Sequence, residues 1–223
     1  ATSVSTTWLP RAETPQTRAG EVEGATLSMK ALASAGPNDL RAGLAPLVSG
    51  YGAWLDRQEG KAAQLPENLR ETADVVLWEA RQAHQRLVDG LEFVASDATA
   101  LQCFRFMNRV MRDQRLASQV AEARKSDSAL SIAQARQDLE AAEAEGKPVA
   151  SWRPFQLAFI LMQLGSLTDP TAALRSAEHQ ARVELLFFPT GGGKTEAYLG
   201  LAAYTFAIRR RQALVQSTDG PLN

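Results

Sequence analysis

From Pro37 onward, apolar side chains return every three or four positions, at Leu40, Leu44, Leu47, Val48, Tyr51, Trp54 and Leu55. That spacing predicts an amphipathic helix opened by Asn38 or Asp39, whose side chains can accept the first free amides. Pro46 falls inside it and marks a kink or break. Pro66 suits a first helical position, and Leu69, Ala73, Val76, Ala80, His84, Leu87, Leu91 and Val94 then trace one face over about seven turns. A third helix is expected from near Asp97, carrying Leu101, Phe104, Met107, Val110 and Met111 inward. Three helices with short connections predict an antiparallel bundle. Residues 1 to about 28 lack sustained periodicity and read as an extended lead-in, anchored only by Trp8, Leu9 and Pro10.

Further along, residues 126–147 are polar and Ala-rich, which predicts an exposed helix or linker ended by Gly146 and Pro148. Trp152 to Leu164 reads as a short apolar helix opening at Pro154, followed by a loop with a helical turn after Pro170. Val183 to Phe188 (VELLFF) has no polar face and reads as a buried parallel strand. Ala197 to Arg211 then shows a helical pattern of Leu199, Leu201, Ala202, Thr205 and Ile208. No repeat of fixed period occurs.

Composition narrows the function classes. The 223 residues are 45% hydrophobic and 22% charged, enough to bury a core, and the net charge of −1 excludes a globally basic nucleic-acid coat. One cysteine, Cys103, excludes an internal disulfide framework and a cysteine zinc cluster. The chain lacks both an apolar run of about eighteen residues and a signal-like start, so a cytoplasmic protein without a membrane partner is expected. It begins with Ala1, which suggests a piece of something longer.

The sharpest chemical signal is the run FPTGGGKT, Phe188 to Thr195, set between the expected strand and helix. Phosphate binding needs small residues there, because backbone amides must approach oxygens closely in conformations a side chain would block. Gly191, Gly192 and Gly193 supply that freedom beside Thr190. Lys194 can reach the β- and γ-phosphates, Thr195 can place its hydroxyl on Mg²⁺, and the following helix N-terminus favours anions. Glu196 can polarise groups near the phosphates, though an acid in a helix's first turn has a sufficient structural reason. Phe188 stands where the general P-loop pattern has glycine. A second constellation, Trp152-Arg-Pro-Phe-Gln156, ends in an amide able to donate and accept at once, as pairing with N6 and N7 of adenine requires. Trp152 or Phe155 can offer a stacking face.

These runs resemble the first motif and the adenine-reading glutamine motif of superfamily 2 helicases. The wider wording, SWRPFQLAFILMQL and LLFFPTGGGKTEAYLGLAAYTFAIRR with the preceding GATLSMKALA and ALQCFRFMNRVM, is similar to the helicase of bacterial DISARM anti-phage systems. The resemblance implies a mostly α-helical region followed by the first strand, P-loop and helix of an incomplete α/β RecA-like domain. The divisions expected are an extended lead-in over 1–37, a helical bundle over 38–125, a polar helix or linker over 126–150, and the start of the ATP-binding domain over 151–223. It further implies ATP and Mg²⁺ as cofactors, with Gln156, Thr190, Gly191, Gly192, Gly193, Lys194, Thr195 and Glu196 as binding residues and Lys194 and Thr195 as catalytic ones. DNA and other subunits of a defence complex are the implied partners of the complete motor. Hydrolysis also needs an acidic pair at a second strand end and arginines from a second lobe. After Glu196 the only acid is Asp219, so little hydrolysis is expected of these residues alone. The rival reading is a helical partner-binding or regulatory module with an inert P-loop.

Charge is uneven along the chain: residues 97–125 sum to +3 and residues 39–94 to −3. Arg105, Arg109 and Arg112 share one helical face, suited either to DNA phosphates or, as the better expectation, to neighbouring acidic helices. Arg209, Arg210 and Arg211 offset a helix dipole. His84 is expected in the core with a hydrogen-bond partner, His179 in a polar loop, and Cys103 as a small buried hydrophobe.

Overall fold

The computed structural model describes residues 20–177, 183–187 and 192–212, together with Ser3, Ser5, Ala181 and the pairs 216–217 and 220–221. In chain order the helices are α1 (Met29–Leu32), α2 (Pro37–Ala62), α3 (Glu67–Ser96), α4 (Ala98–Ser126), α5 (Ile132–Ala144), α6 (Pro154–Thr168), α7 (Ala173–Ser176) and α8 (Lys194–Arg211). Two-residue strands, β1 (Gln216–Ser217) and β2 (Gly220–Pro221), pair antiparallel.

Local sequence accounts for most helix ends. Proline stands in the first turns of α2 and α6, Asp97 caps α4 by accepting from the amide of Ala100 at 2.7 Å, and Ser131 caps α5 by accepting from Gln134. Gly146, at φ +85°, turns the chain just after α5. Pro46 does not break α2, which runs on through it. One turn before it, the carbonyl of Gly43 accepts from the amide of Thr26 at 2.7 Å, and Thr26 lies so close that a side chain at 43 would strike it. The lead-in therefore docks on α2 and goes on into a buried turn at Met29 and Leu32. It also bridges Ser28 to Ser151, ahead of α6. Trp8, Leu9 and Pro10 lie outside the described residues.

Helices α3, α6, α8 and α4 close a ring in which each packs on the next, and α2 lies against the outside of α3. The shared core contains Leu87, Leu91, Val94, Phe104, Met107, Leu157, Ile160, Leu161 and Tyr204. At the α3–α6 contact a Cβ on Gly90 would fall 2.1 Å from the Leu161 carbonyl oxygen, so the two backbones nearly touch. The buried residues of α3, Leu87, Gly90, Leu91, Val94 and Ala95, all lie in its last third. Leu69 and Val76, expected inward, are exposed with Trp54, Val75 and Trp78 where α2 and α3 project beyond the ring, and Val110 of α4 also faces out.

The largest departure concerns the α/β RecA-like beginning expected after residue 150, which is absent among the described residues. Val183 to Phe187 form no strand, and the strand pair formed by β1 and β2 is antiparallel and lies after α8. The physical reason is the ladder: a strand's amides and carbonyls need a neighbouring strand, and no described segment pairs with 183–187. The segment instead lies on the helices with alternate sides. Val183, Leu185 and Phe187 are 100%, 80% and 89% exposed, while Leu186 and Glu184 turn inward, Glu184 onto the guanidinium of Arg86.

Candidate functional site

Helices α6 and α8 run parallel and in register. Gly193 lies beside Gln156, Gly200 beside Ile160, and Tyr204 beside Thr168, where the two hydroxyls are 2.6 Å apart. Both helix N-termini therefore meet at one place, the end of the glycine run. At their other ends Arg209 donates to the Leu167 carbonyl at 2.7 Å, so its role is to cap α6 as well as to offset the dipole of its own helix.

The buried face of α8 is Ala197, Gly200, Tyr204 and Ile208; Leu199, expected inward, is exposed. Small residues take the inner stripe because α8 must approach closely: a Cβ on Gly200 would sit 2.9 Å from the Trp152 ring. Trp152 itself is buried, and its indole donates to Asn108 Oδ1 at 2.7 Å while Asn108 Nδ2 donates to the Phe104 carbonyl. That indole belongs to the core and offers no free stacking face. Phe155 lines an apolar groove of about 840 Å³ with Tyr51, Trp54, Phe159 and Leu186.

Two side chains from the start of α6 hold the loop before α8. Arg153 Nη1 donates to the Gly192 carbonyl at 2.7 Å, and Gln156 Nε2 donates to the Gly193 carbonyl at 2.6 Å. Gln156 Oε1 in turn accepts from the Arg153 amide at 2.7 Å, so the glutamine closes a box at its own helix start. Because a trans peptide sets its C=O and N–H on opposite sides, the held carbonyls turn the amides of Gly193 and Lys194 away from Arg153 and Gln156. Gly193 has φ +87°, and a Cβ there would meet Gln156 Nε2 at 2.6 Å, so glycine is required by conformation and by space. Thr195 is exposed, and Lys194 and Glu196 are half-buried. Thr190 and Gly191, like Phe188 and His179, lie outside the described residues.

Electrostatically the junction carries a positive excess. Each helix N-terminus carries about half a positive charge; with Arg153, Lys194 and Glu196 the sum is about +2. An arginine at the N-cap of α6, with no acid in its first turn, is unfavourable alone and becomes favourable beside an anion. The donor set fits phosphate oxygens: backbone amides, an ammonium and a hydroxyl. It fits adenine less directly. Gln156 is 4% exposed, and both ends of its amide already serve backbone partners, leaving one N–H and one lone pair. The clamping role of Arg153 is not visible in the sequence, where its only signal is a position three residues before Gln156.

The smaller features resolve simply. Arg112 pairs with Glu143 of α5, not with the acidic helices before residue 95, and the guanidinium holds the buried carboxyl below the usual glutamate range. Arg105 donates through two nitrogens to the Ala35 carbonyl. His84 lies 3.1 Å from the Val48 carbonyl and edge-on to Tyr51. Cys103 is buried, which pushes its thiol pKa up. Among the described residues no group of histidine, cysteine or acidic side chains could hold a metal, and no helix is long and apolar enough to cross a membrane.

Fold and site together define a helical protein whose glycine-rich loop is clamped at the junction of two parallel helices. No family model matches the chain. It is similar to the DISARM protein DrmA of Bacillus paralicheniformis, with 33% identity over 174 residues. The match covers 77% of this chain and 14% of the Bacillus protein, so the chain spans about one seventh of its relative. Over that stretch it is related in sequence to a DISARM protein.

Proposed function

We propose that the loop from Thr190 to Thr195 binds the triphosphate of ATP, and that the chain is the nucleotide-binding part of an ATP-driven helicase or translocase acting on DNA in anti-phage defence. The observation that carries the reading is the clamp. Arg153 and Gln156 hold the carbonyls of Gly192 and Gly193, which turns the amides that follow away from the clamp, at the meeting point of two helix N-termini. The likeness to a DISARM protein supports the defence role and a setting among other subunits of such a system. In this reading the amides of Gly193 and Lys194 bind phosphate oxygens, Lys194 neutralises them, and Thr195 offers its hydroxyl to Mg²⁺. Glu196 sets the local charge. Gln156 contributes chiefly by fixing Gly193, since both ends of its amide serve backbone partners. Bound Mg²⁺ would draw off phosphate charge. In the complete protein carrying this sequence, Lys194→Ala abolishes DNA-stimulated ATP hydrolysis; unchanged turnover refutes the assignment.

One observation favours a second reading, a helical module that docks a partner and carries an inert loop: residues 183–187 form no strand ahead of the glycines. Under that reading the helices bind a partner subunit and added nucleotide changes nothing.

A further inference from the structure

Toward the other end of α8, about 18–26 Å from the loop at 1.5 Å per residue, a cleft of about 570 Å³ opens between α8 and α4. Four arginines line it, Arg105 and Arg109 from α4 and Arg210 and Arg211 from α8, and its described lining contains no carboxylate. In a chain of net charge −1 that is a marked local excess. The side chains of Arg109, Arg210 and Arg211 have no ion-pair partner among the described residues, and all three are exposed. Arg105 is fixed by the Ala35 carbonyl and so presents its charge from a set position. Two phenyl rings stand among them, Phe106 at 43% and Phe206 at 70% exposure. Each ring sits three or four residues from an arginine on its own helix, and so on the same face.

Structural reasons account for these residues poorly. A helix end needs one cation to offset its dipole, not two more across a cleft from a second basic helix, and an exposed phenyl loses the burial that would favour it. A basic groove with interleaved, solvent-facing aromatic rings is the pattern by which proteins hold a single nucleic-acid strand: guanidinium groups take the phosphates and the rings stack on unpaired bases. We propose that this α4–α8 cleft binds single-stranded nucleic acid. A duplex keeps its bases stacked and has no use for Phe106 and Phe206, whereas an acidic peptide has use only for the arginines. The site is separate from the loop at the opposite end of α8, so the two stand or fall independently.

The test is fluorescence anisotropy of the 223-residue chain with a fluorescein-labelled oligothymidylate of about a dozen nucleotides, a length within the site sizes of such grooves. Saturable binding is expected to weaken with salt between about 50 and 200 mM, with a logarithmic slope of about −2 to −3 for three or four phosphates. The Arg210→Glu, Arg211→Glu double variant should bind at least about tenfold more weakly with a shallower slope, and Phe206→Ala about fivefold or more weakly with the slope unchanged. All these positions are exposed, so circular dichroism should show the parent fold. Lys61→Glu, an exposed charge reversal in the last turn of α2 and away from the cleft, should bind like the parent. The proposal is overturned by no binding up to about 0.1 mM, by equal binding of the charge-reversed variant, by a preference for duplex of the same length, or by polyglutamate competing as well as unlabelled oligonucleotide.

Discussion

Replacing Gly90 by alanine places a methyl group where the Leu161 carbonyl now sits. The ideal Cβ falls 2.1 Å from that oxygen and 2.7 Å from its carbon, both backbone atoms of α6 that no rotamer change can move. To reach ordinary contact α3 and α6 must part by about 1 Å, loosening Leu87, Leu91, Leu157 and Leu161 around the crossing; overpacking of this kind costs about 1–3 kcal/mol and more where backbone must shift. Alanine's better helix propensity returns about 1 kcal/mol. The net expectation is a loss of about 2 kcal/mol, read as a fall in Tm of about 4–8 °C for a chain of this size. Gly60→Ala is the control, because Gly60 lies in α2 with nothing within 4 Å of the added carbon. It should raise stability by up to about 1 kcal/mol. Thermal unfolding followed by circular dichroism reads both. If the two substitutions shift Tm in the same direction, the close α3–α6 approach is wrong, and with it the placement of α6 against the bundle.

Other consequences can be measured in the same protein. A double-mutant cycle of Asn108→Ala and Trp152→Phe should give a coupling of about 1 kcal/mol for the buried indole–amide hydrogen bond; additive effects would remove that bond from the core. Glu143 has its folded pKa lowered, chiefly by the hydrogen bond from Arg112. Its contribution is therefore complete above the ordinary glutamate value and is lost as pH falls through the lowered one, so Glu143→Gln should reduce the acid sensitivity of the unfolding midpoint while an unaltered profile contradicts the pairing. Gly193→Ala combines left-handed strain of about 1–2 kcal/mol with a collision against Gln156, and a substitution that leaves Tm within about 1 °C would show that the loop is not held as described.

Much of the helical framework is legible in the sequence because local rules act there. Prolines and capping residues lie close to the starts of α2, α4 and α6, and Gly146 closes α5. The misassignments arise where a distant partner decides. Leu69 and Val76 keep the helical spacing of a core stripe, yet α3 outruns the helices that would cover them. In α8 the large residue Leu199 suggests the inner face, whereas the close approach of Trp152 selects Gly200 and Ala197 instead. VELLFF has the composition of a buried strand, but a ladder requires a neighbour, and composition carries no information about one. The glycine run and Gln156 were recognisable as a pair; that Gln156 and Arg153 grip the loop by its carbonyls follows from the parallel register of α6 and α8, which no local pattern specifies.

Titration calorimetry with ATP and Mg²⁺ reaches the central idea most directly. The clamped loop predicts saturable binding at one site per chain, abolished by Lys194→Ala and weakened by Gln156→Ala in protein that remains folded. Absence of binding to the folded parent chain, or binding that survives Lys194→Ala undiminished, would contradict it.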